Sequence, residues 1–191
     1  GMLDIFCSGQ FDQQRLNNLP LSLWRILPKA VVRAAVPCLG RGVHVARPLG
    51  IVVHRVLSSV PLASLRKWGE FVGFATFDVQ LAKLVAARKS RVVIAYEMAA
   101  LHTFRVAKKE KTICILDAAA CHHSLQDRRL NVSQAEMNSV PGRAIRARKD
   151  AEVLLADLVI CPSVLSAESY LAAGVPPGKV VVNTLGVDAD A

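Results

Sequence analysis

The chain has 191 residues, 52% of them apolar and 20% charged, a balance that excludes a disordered polymer and suffices for one substantial core. It holds no uncharged apolar stretch of spanning length, and no basic region leads into an apolar run at the start, so neither a transmembrane helix nor a secretory signal is expected. Lysine and arginine number 24 against 15 acids, a net charge of +9, which favours anionic partners such as phosphate-bearing substrates, acidic lipid or nucleic acid, or else serves solubility alone.

Gly1 before Met2 reads as a cloning remnant and is set aside. Leu3 to Cys7 has the pattern of a first strand ending at Ser8-Gly9. A helix is expected at about 21–36. Within it Arg25, Lys29 and Arg33 recur every fourth residue and so line one stripe, with Leu23, Trp24, Ile26 and Leu27 beside them. One or two short strands are expected near Val43–Val53. Gly40-Arg41-Gly42 does not make a dinucleotide fingerprint, because no strand leads into it and no third glycine follows at position 45. Ser58-Ser59 and Pro61 open a long helical pattern to Lys89, with Leu65, Val72, Val79 and Ala86 on its expected apolar side.

Beyond residue 90 the signals sharpen. Arg91–Glu97 and Thr112–Asp117 are short apolar runs rich in β-branched residues, and read as buried strands around a helix from Met98 to Lys109. A loop through Cys121-His122-His123 follows, then helical sequence broken at Pro141-Gly142. From Arg143 to Leu155 the apolar Ala147, Ala151, Leu154 and Leu155 fall at helical spacing, with arginines and Lys149 opposite. Leu158–Cys161 is a third strand. Ser163 caps a helix that Gly174 ends ahead of Pro176 and Pro177, and Lys179–Asn183 is a fourth strand. Strands alternating with helices, each strand almost wholly apolar, specify an α/β fold: a Rossmann-like, doubly wound, mostly parallel sheet with helices on both faces. No low-complexity linker divides residues 1–191, so a single domain is expected.

Five cysteines (Cys7, Cys38, Cys114, Cys121, Cys161) form no C-x-x-C pair, and an odd number without spacing points to reduced thiols and a cytoplasmic setting. Ligands of open α/β sheets bind outside the carboxyl ends of the strands. The residues at those ends are Ser8 and Gly9, Glu97, the loop through His122 and His123, Ser163, and Leu185-Gly186. Gly9 admits a phosphate close to the backbone or simply makes a tight turn. A histidine at a strand's carboxyl end acts as a base, places a hydrogen bond on a substrate hydroxyl, or packs structurally. Metal is not expected, since adjacent residues rarely converge on one ion and no second ligand cluster accompanies Cys121, His122 and His123. Nucleic acid is not expected either, because no reader motif is present and only 5% of residues are aromatic.

Asp150 to Ser163, with Ala156-Asp157, an apolar strand and Pro162-Ser163, resembles a recurring block of glycosyltransferase family 4. Ala173-Gly174-Val175-Pro176 to Val182, followed by Gly186-Val187-Asp188, resembles the family's next block, and Leu116-Asp117 through His122, with Gln126, is similar to an acceptor-side histidine loop in one of its branches. A glutamate in the place of Glu152 also occurs in that branch. The resemblance covers roughly residues 112–188. It implies the N-terminal, acceptor-side half of a GT-B-fold enzyme that retains anomeric configuration, uses a nucleotide sugar as donor and a glycan or lipid-linked acceptor, needs neither metal nor cofactor, and holds its donor largely with a C-terminal domain absent from these 191 residues. It further implies His122 as the catalytic-site histidine, Ser8 and Gly9 beneath the donor phosphates, and Glu97, His123 and Ser163 at the acceptor side of the cleft. A non-catalytic Rossmann-like binding module is the alternative.

The lipid-linked acceptors implied by the resemblance, and the basic stripe of Arg25, Lys29 and Arg33, suggest peripheral attachment to an anionic inner-membrane face; the alternative is a helix packed on the sheet with its basic stripe merely solvated. Each basic residue near such a surface contributes about 1 kcal/mol, so three give about 3 kcal/mol, sufficient for reversible, salt-sensitive binding. Vesicle co-sedimentation is expected to show binding to anionic lipid at low salt, lost at high salt. Equal partitioning to neutral and anionic vesicles contradicts this expectation.

Overall fold

The computed structural model describes the backbone of Phe6–Ser8 and Val43–Val45 together with residues 63–184. The helix expected at 21–36 with Arg25, Lys29 and Arg33, the turn at Gly9, and Leu185-Gly186 lie outside the described residues. The chain falls into two compact units, residues 1–81 and 82–191. In the first, β1 (Phe6–Ser8) pairs in parallel with β2 (Val43–Val45), Phe6 opposite Val43 and Ser8 opposite Val45. Ser8 is thus the last residue of a strand, one position beyond the end expected for it.

Helix α1 (Ala63–Arg88) begins in the first unit and ends in the second. Its apolar line is not the expected one: Leu65, Val79 and Ala86 are exposed, whereas Gly69, Gly73, Asp78 and Ala82 are buried. At 100° per residue, Gly69 and Gly73 lie on one side of the helix, and Asp78 and Ala82 on the other. Burial therefore changes sides along the helix, and no single seven-residue stripe describes it.

The second unit holds a four-stranded parallel sheet in the order β3 (Val92–Tyr96), β4 (Ile113–Asp117), β5 (Leu158–Cys161), β6 (Val180–Val182). Val93 lies opposite Cys114, Leu116 opposite Val159, and Cys161 opposite Val182. Helix α2 (Leu101–Lys109) connects β3 to β4. Helices α3 (His123–Arg129), α4 (Gln134–Asn138) and α5 (Val140–Leu155) lie between β4 and β5, and α6 (Val164–Ala172) with a 3-10 turn at Pro177–Lys179 leads into β6. This is an α/β, Rossmann-like arrangement. Because each strand adds on the same side of its predecessor, right-handed crossovers carry the intervening helices to one face. Val93, Ala95, Cys114, Leu116, Val159 and Cys161 point into that face and are buried against Phe104 and Ala107 of α2, Val153 of α5, and Ala167 and Tyr170 of α6. The opposite face carries Val92, Ile94, Tyr96 and Ile113, with Ile94 62% exposed. The helices expected on that face have no counterpart among the described residues of this unit.

Three local departures have physical causes. Helix α2 starts at Leu101 rather than Met98, because Met98 is in the left-handed region at φ 75°, which a helix cannot include. Pro141-Gly142 does not break a helix but opens α5: Ser139 accepts a hydrogen bond from the Gly142 N–H, and Pro141 occupies the first turn, where its missing N–H goes unneeded. Finally, the apolar face expected for α5 holds only in part: Ala151 and Leu155 are half-buried, Leu155 against the core. Ala147 is exposed and Leu154 is 78% exposed, whereas Arg148 and Glu152, four residues apart, face the interior at 4% and 0%. Periodicity misplaces the inward side of this helix because an ion pair lies on it beside the hydrocarbon of Val153 and Leu155. At the other end of the unit, Ser163 caps α6 by accepting from the Ser166 N–H, and the positive φ of Gly174 (90°) ends it as expected.

Cys114, Cys121 and Cys161 are free thiols. Among the described residues no helix is long and apolar enough to cross a membrane.

Candidate functional site

Parallel strands bring Glu97, which follows β3, and the loop after β4 to one edge of the sheet. The backbone there is held from behind by the buried pair in α5. Glu152 Oε2 accepts from the Met98 N–H at 2.7 Å, and its Oε1 accepts from the Ala100 and Leu101 N–H groups at 3.1 Å each. Arg148 Nε donates to the Met98 carbonyl at 2.7 Å and lies 3.1 Å from Glu152 Oε1. A carboxylate thus caps the start of α2, and the guanidinium holds Met98, whose φ of 75° is the largest among the four described non-glycine residues with positive φ. Burial pushes the Glu152 carboxyl up to about 7, against the three N–H groups and the arginine that favour its charge.

Glu97 itself is 7% exposed, with both oxygens engaged: Tyr170 Oη donates to Oε1 at 3.1 Å, and Lys149 Nζ lies 3.0 Å from Oε2. Burial first, then the Glu97 carboxylate, push the Tyr170 phenol well up, so it stays a proton donor. Tyr170 packs its ring edge-on against His122, with centroids 5.2 Å apart.

His122 is fixed at both ends. Its backbone N–H donates to Ser169 Oγ at 2.8 Å, and the Ser166 hydroxyl donates to the Ala120 carbonyl, so two bonds tie the loop to α6. As N-cap of α3, its Nδ1 accepts from the Ser124 N–H at 3.3 Å and lies 2.9 Å from Ser124 Oγ. Hydrogen bonds into Nδ1 place the ring proton on Nε2. Burial, and after it the neighbouring His123, hold His122 below the ordinary imidazole range, so the ring is neutral at neutral pH. His122 is therefore a fixed neutral donor, its Nε2 3.5 Å from Asp150 Oδ1.

His123 does join His122 at this place. An extended cap residue followed by the first helical residue lets adjacent rings stand side by side, with centroids 4.2 Å apart and planes tilted by 35°. The expectation that neighbouring residues would diverge is thereby corrected: nitrogens of His122 and His123 and an oxygen of Asp150 all lie within 4.8 Å of one another. His123 Nε2 bonds Asp150 Oδ1 at 2.7 Å. Beside His123 opens a cavity of about 510 Å³, whose lining includes Ser124, Asp127, Val132, Met137 and Arg146. Arg146 Nε donates to Asp127 Oδ2 at 2.8 Å.

Of the residues expected from sequence, Glu97, His122 and His123 come together here. Ser163 lies at the end of β5 with its hydroxyl engaged as a cap. Ser8 belongs to the other unit, and Gly9 is outside the described residues. Lys149, Asp150 and Tyr170 join the site although pattern reasoning missed them. Their signal was available for α5 alone, where Arg148, Lys149, Asp150 and Glu152 crowd into five positions. The Ala156-Asp157 pair of the resemblance has a structural task. Asp157 Oδ2 accepts from the Cys114 N–H at 2.9 Å and its N–H donates to the Cys114 carbonyl, joining β4 to the start of β5. Burial opposes its charge, but that N–H and Lys108 hold the carboxyl below its usual range.

The class defined by these features is an α/β, Rossmann-like protein with a polar site at the carboxyl edge of its sheet. No family model and no curated protein matches the chain. Among solved structures it is similar to the UDP-GlcNAc 2-epimerase of Neisseria meningitidis bound to UDP-GlcNAc (TM-score 0.43, 12% identity, 73% of this chain and 36% of that one). It is also similar to the UDP-GlcNAc 2-epimerase of Methanocaldococcus jannaschii (0.40, 12%, 76% and 32%) and to S. aureus MnaA with UDP (0.40, 17%, 57% and 26%). The matched part is thus about a quarter to a third of those chains.

Proposed function

We propose that this chain is the acceptor-side domain of an enzyme that uses a nucleotide sugar as glycosyl donor and transfers the sugar to a glycan or lipid-linked acceptor. The observation that carries the reading is His122: a neutral imidazole, pinned at its backbone and at Nδ1, offering Nε2–H at the carboxyl edge of a parallel sheet. A preorganised neutral donor stabilises developing charge on a sugar oxygen without supplying or removing a proton in the resting state. The resemblance of residues 112–188 to glycosyltransferase family 4 and the net charge of +9 support a phosphate-bearing ligand.

In this reading a second, donor-binding domain supplies most of the affinity, and the expected donor-phosphate role of Ser8 and Gly9 is tested by replacing each with Ala in the joined enzyme. Glu97 acts as a positioning residue, because its oxygens are taken by Tyr170 and Lys149. Calorimetry of the 191-residue chain against UDP- and GDP-sugars is expected to show at most weak binding, with transfer only when the donor-binding domain is joined to it. Micromolar donor binding by the chain alone would instead identify a self-contained binding module and overturn the proposal.

A further inference from the structure

We propose that His122 Nε2, His123 Nε2 and Asp150 Oδ1 form a site for a borderline transition-metal ion of the Zn²⁺ class, with at least one coordination position left for water or a ligand oxygen. Two imidazoles and one carboxylate are the donor set such ions take in open, three-ligand sites. The spacing fits. Bonds of about 2.0–2.1 Å in tetrahedral geometry put ligand atoms about 3.3 Å apart, and His122 Nε2 already lies 3.5 Å from Asp150 Oδ1. The 2.7 Å contact between His123 Nε2 and the same oxygen would open by about half an ångström. Asp150 is the most exposed of the three, its side chain 57% exposed, and gives the ion a way in.

The second observation is an orphan atom. With the Nε2 proton of His123 given to Asp150, His123 Nδ1 is buried with no hydrogen-bond partner. It faces Asp127 Oδ2 at 4.0 Å, acceptor toward acceptor. An ion on Nε2 reverses this. Each ring then carries its proton on Nδ1: His123 donates toward Asp127, which Arg146 already orients, and His122 donates to Ser124 Oγ at 2.9 Å in exchange for the Ser124 N–H bond that caps α3. Outer partners of this kind, a hydroxyl and a carboxylate on the far nitrogens, fix ligating histidines. The inference does not depend on the transferase reading. It has a consequence for that reading, however, because an ion on His122 Nε2 removes the N–H that the proposed function uses.

The experiment is titration of the 191-residue chain with Co²⁺, followed by visible absorption, and with Zn²⁺ in competition. One Co²⁺ per chain is expected, with a tetrahedral spectrum lacking a thiolate charge-transfer band and displaced by Zn²⁺. Asp150→Asn keeps a carbonyl acceptor for His123 while removing the charge, and His123→Ala removes a donor nitrogen. Each is expected to weaken binding by at least about tenfold, with circular dichroism confirming the fold. No Co²⁺ binding, a thiolate band showing that cysteines hold the ion, or wild-type affinity in both folded variants would overturn the proposal. Loss of metal binding with retained sugar-nucleotide transfer, or the converse, separates this site from the proposed activity.

Discussion

Glu152→Ala is expected to destabilise the second unit by about 3–5 kcal/mol, the magnitude for removing one partner of a buried pair. The change leaves Arg148 charged at 4% exposure. It also strips the acceptor from the Met98, Ala100 and Leu101 N–H groups, each costing about 1–3 kcal/mol if it finds no other partner. For an isolated buried ion pair, replacing both partners by hydrocarbon can restore stability. Here it should not, because Arg148→Met with Glu152→Leu still leaves the start of α2 uncapped and Met98 unsupported at φ 75°. Glu152→Gln retains one acceptor oxygen and should lie between wild type and Ala. Urea denaturation, with hydrogen exchange at the 98–101 amides, measures the ranking. Leu154→Ala is the contrasting control: at 78% exposure its loss should fall within about 0.5 kcal/mol of zero. Full recovery in the apolar double variant would show that the pair serves itself and not the backbone beneath the site.

In an active enzyme carrying this domain, His122→Ala is expected to lower turnover by about a hundredfold or more, the scale on which single preorganised donors act. Because His122 also caps α3, the alanine variant loses about 1 kcal/mol of helix stability as well. His122→Asn separates the two roles, since asparagine caps well but cannot place a donor where Nε2 stands. It should restore stability without restoring turnover. If His123→Ala abolishes activity while His122→Ala leaves it intact, the role belongs to the second histidine. If neither affects kcat, the site assignment fails.

How much of this was legible in the sequence differs by element. The strands after residue 90 were visible within one or two positions because each is a short β-branched run bounded by charge or turn residues. The start and stop of α6 were equally plain, since the capping of Ser163 and the positive φ of Gly174 act through neighbouring residues alone. Glu97 and His122 were legible as edge residues, because parallel strands with right-handed crossovers bring their carboxyl ends to one side.

The charged part of α5's inward face was not legible. Periodicity assigns charge to solvent, and only the Met98, Ala100 and Leu101 N–H groups, fifty residues away in sequence, make it favourable to bury Glu152. The same holds for Met98, whose left-handed backbone depends on Arg148 and Glu152 rather than on its own neighbours. The partners of His122 and His123 follow this rule too. Ser169, Asp150 and Tyr170 stand 27 to 48 residues further along the chain, and no spacing along a strand or helix announces them. By itself the sequence determined which segments become strands, where helices are capped and which loops reach the edge of the sheet, because those depend on contacts within a few residues. The tertiary structure decided which charges are buried, which nitrogen of His123 carries its proton and that donor atoms of His122, His123 and Asp150 converge, because each of these is set by groups that only folding brings together.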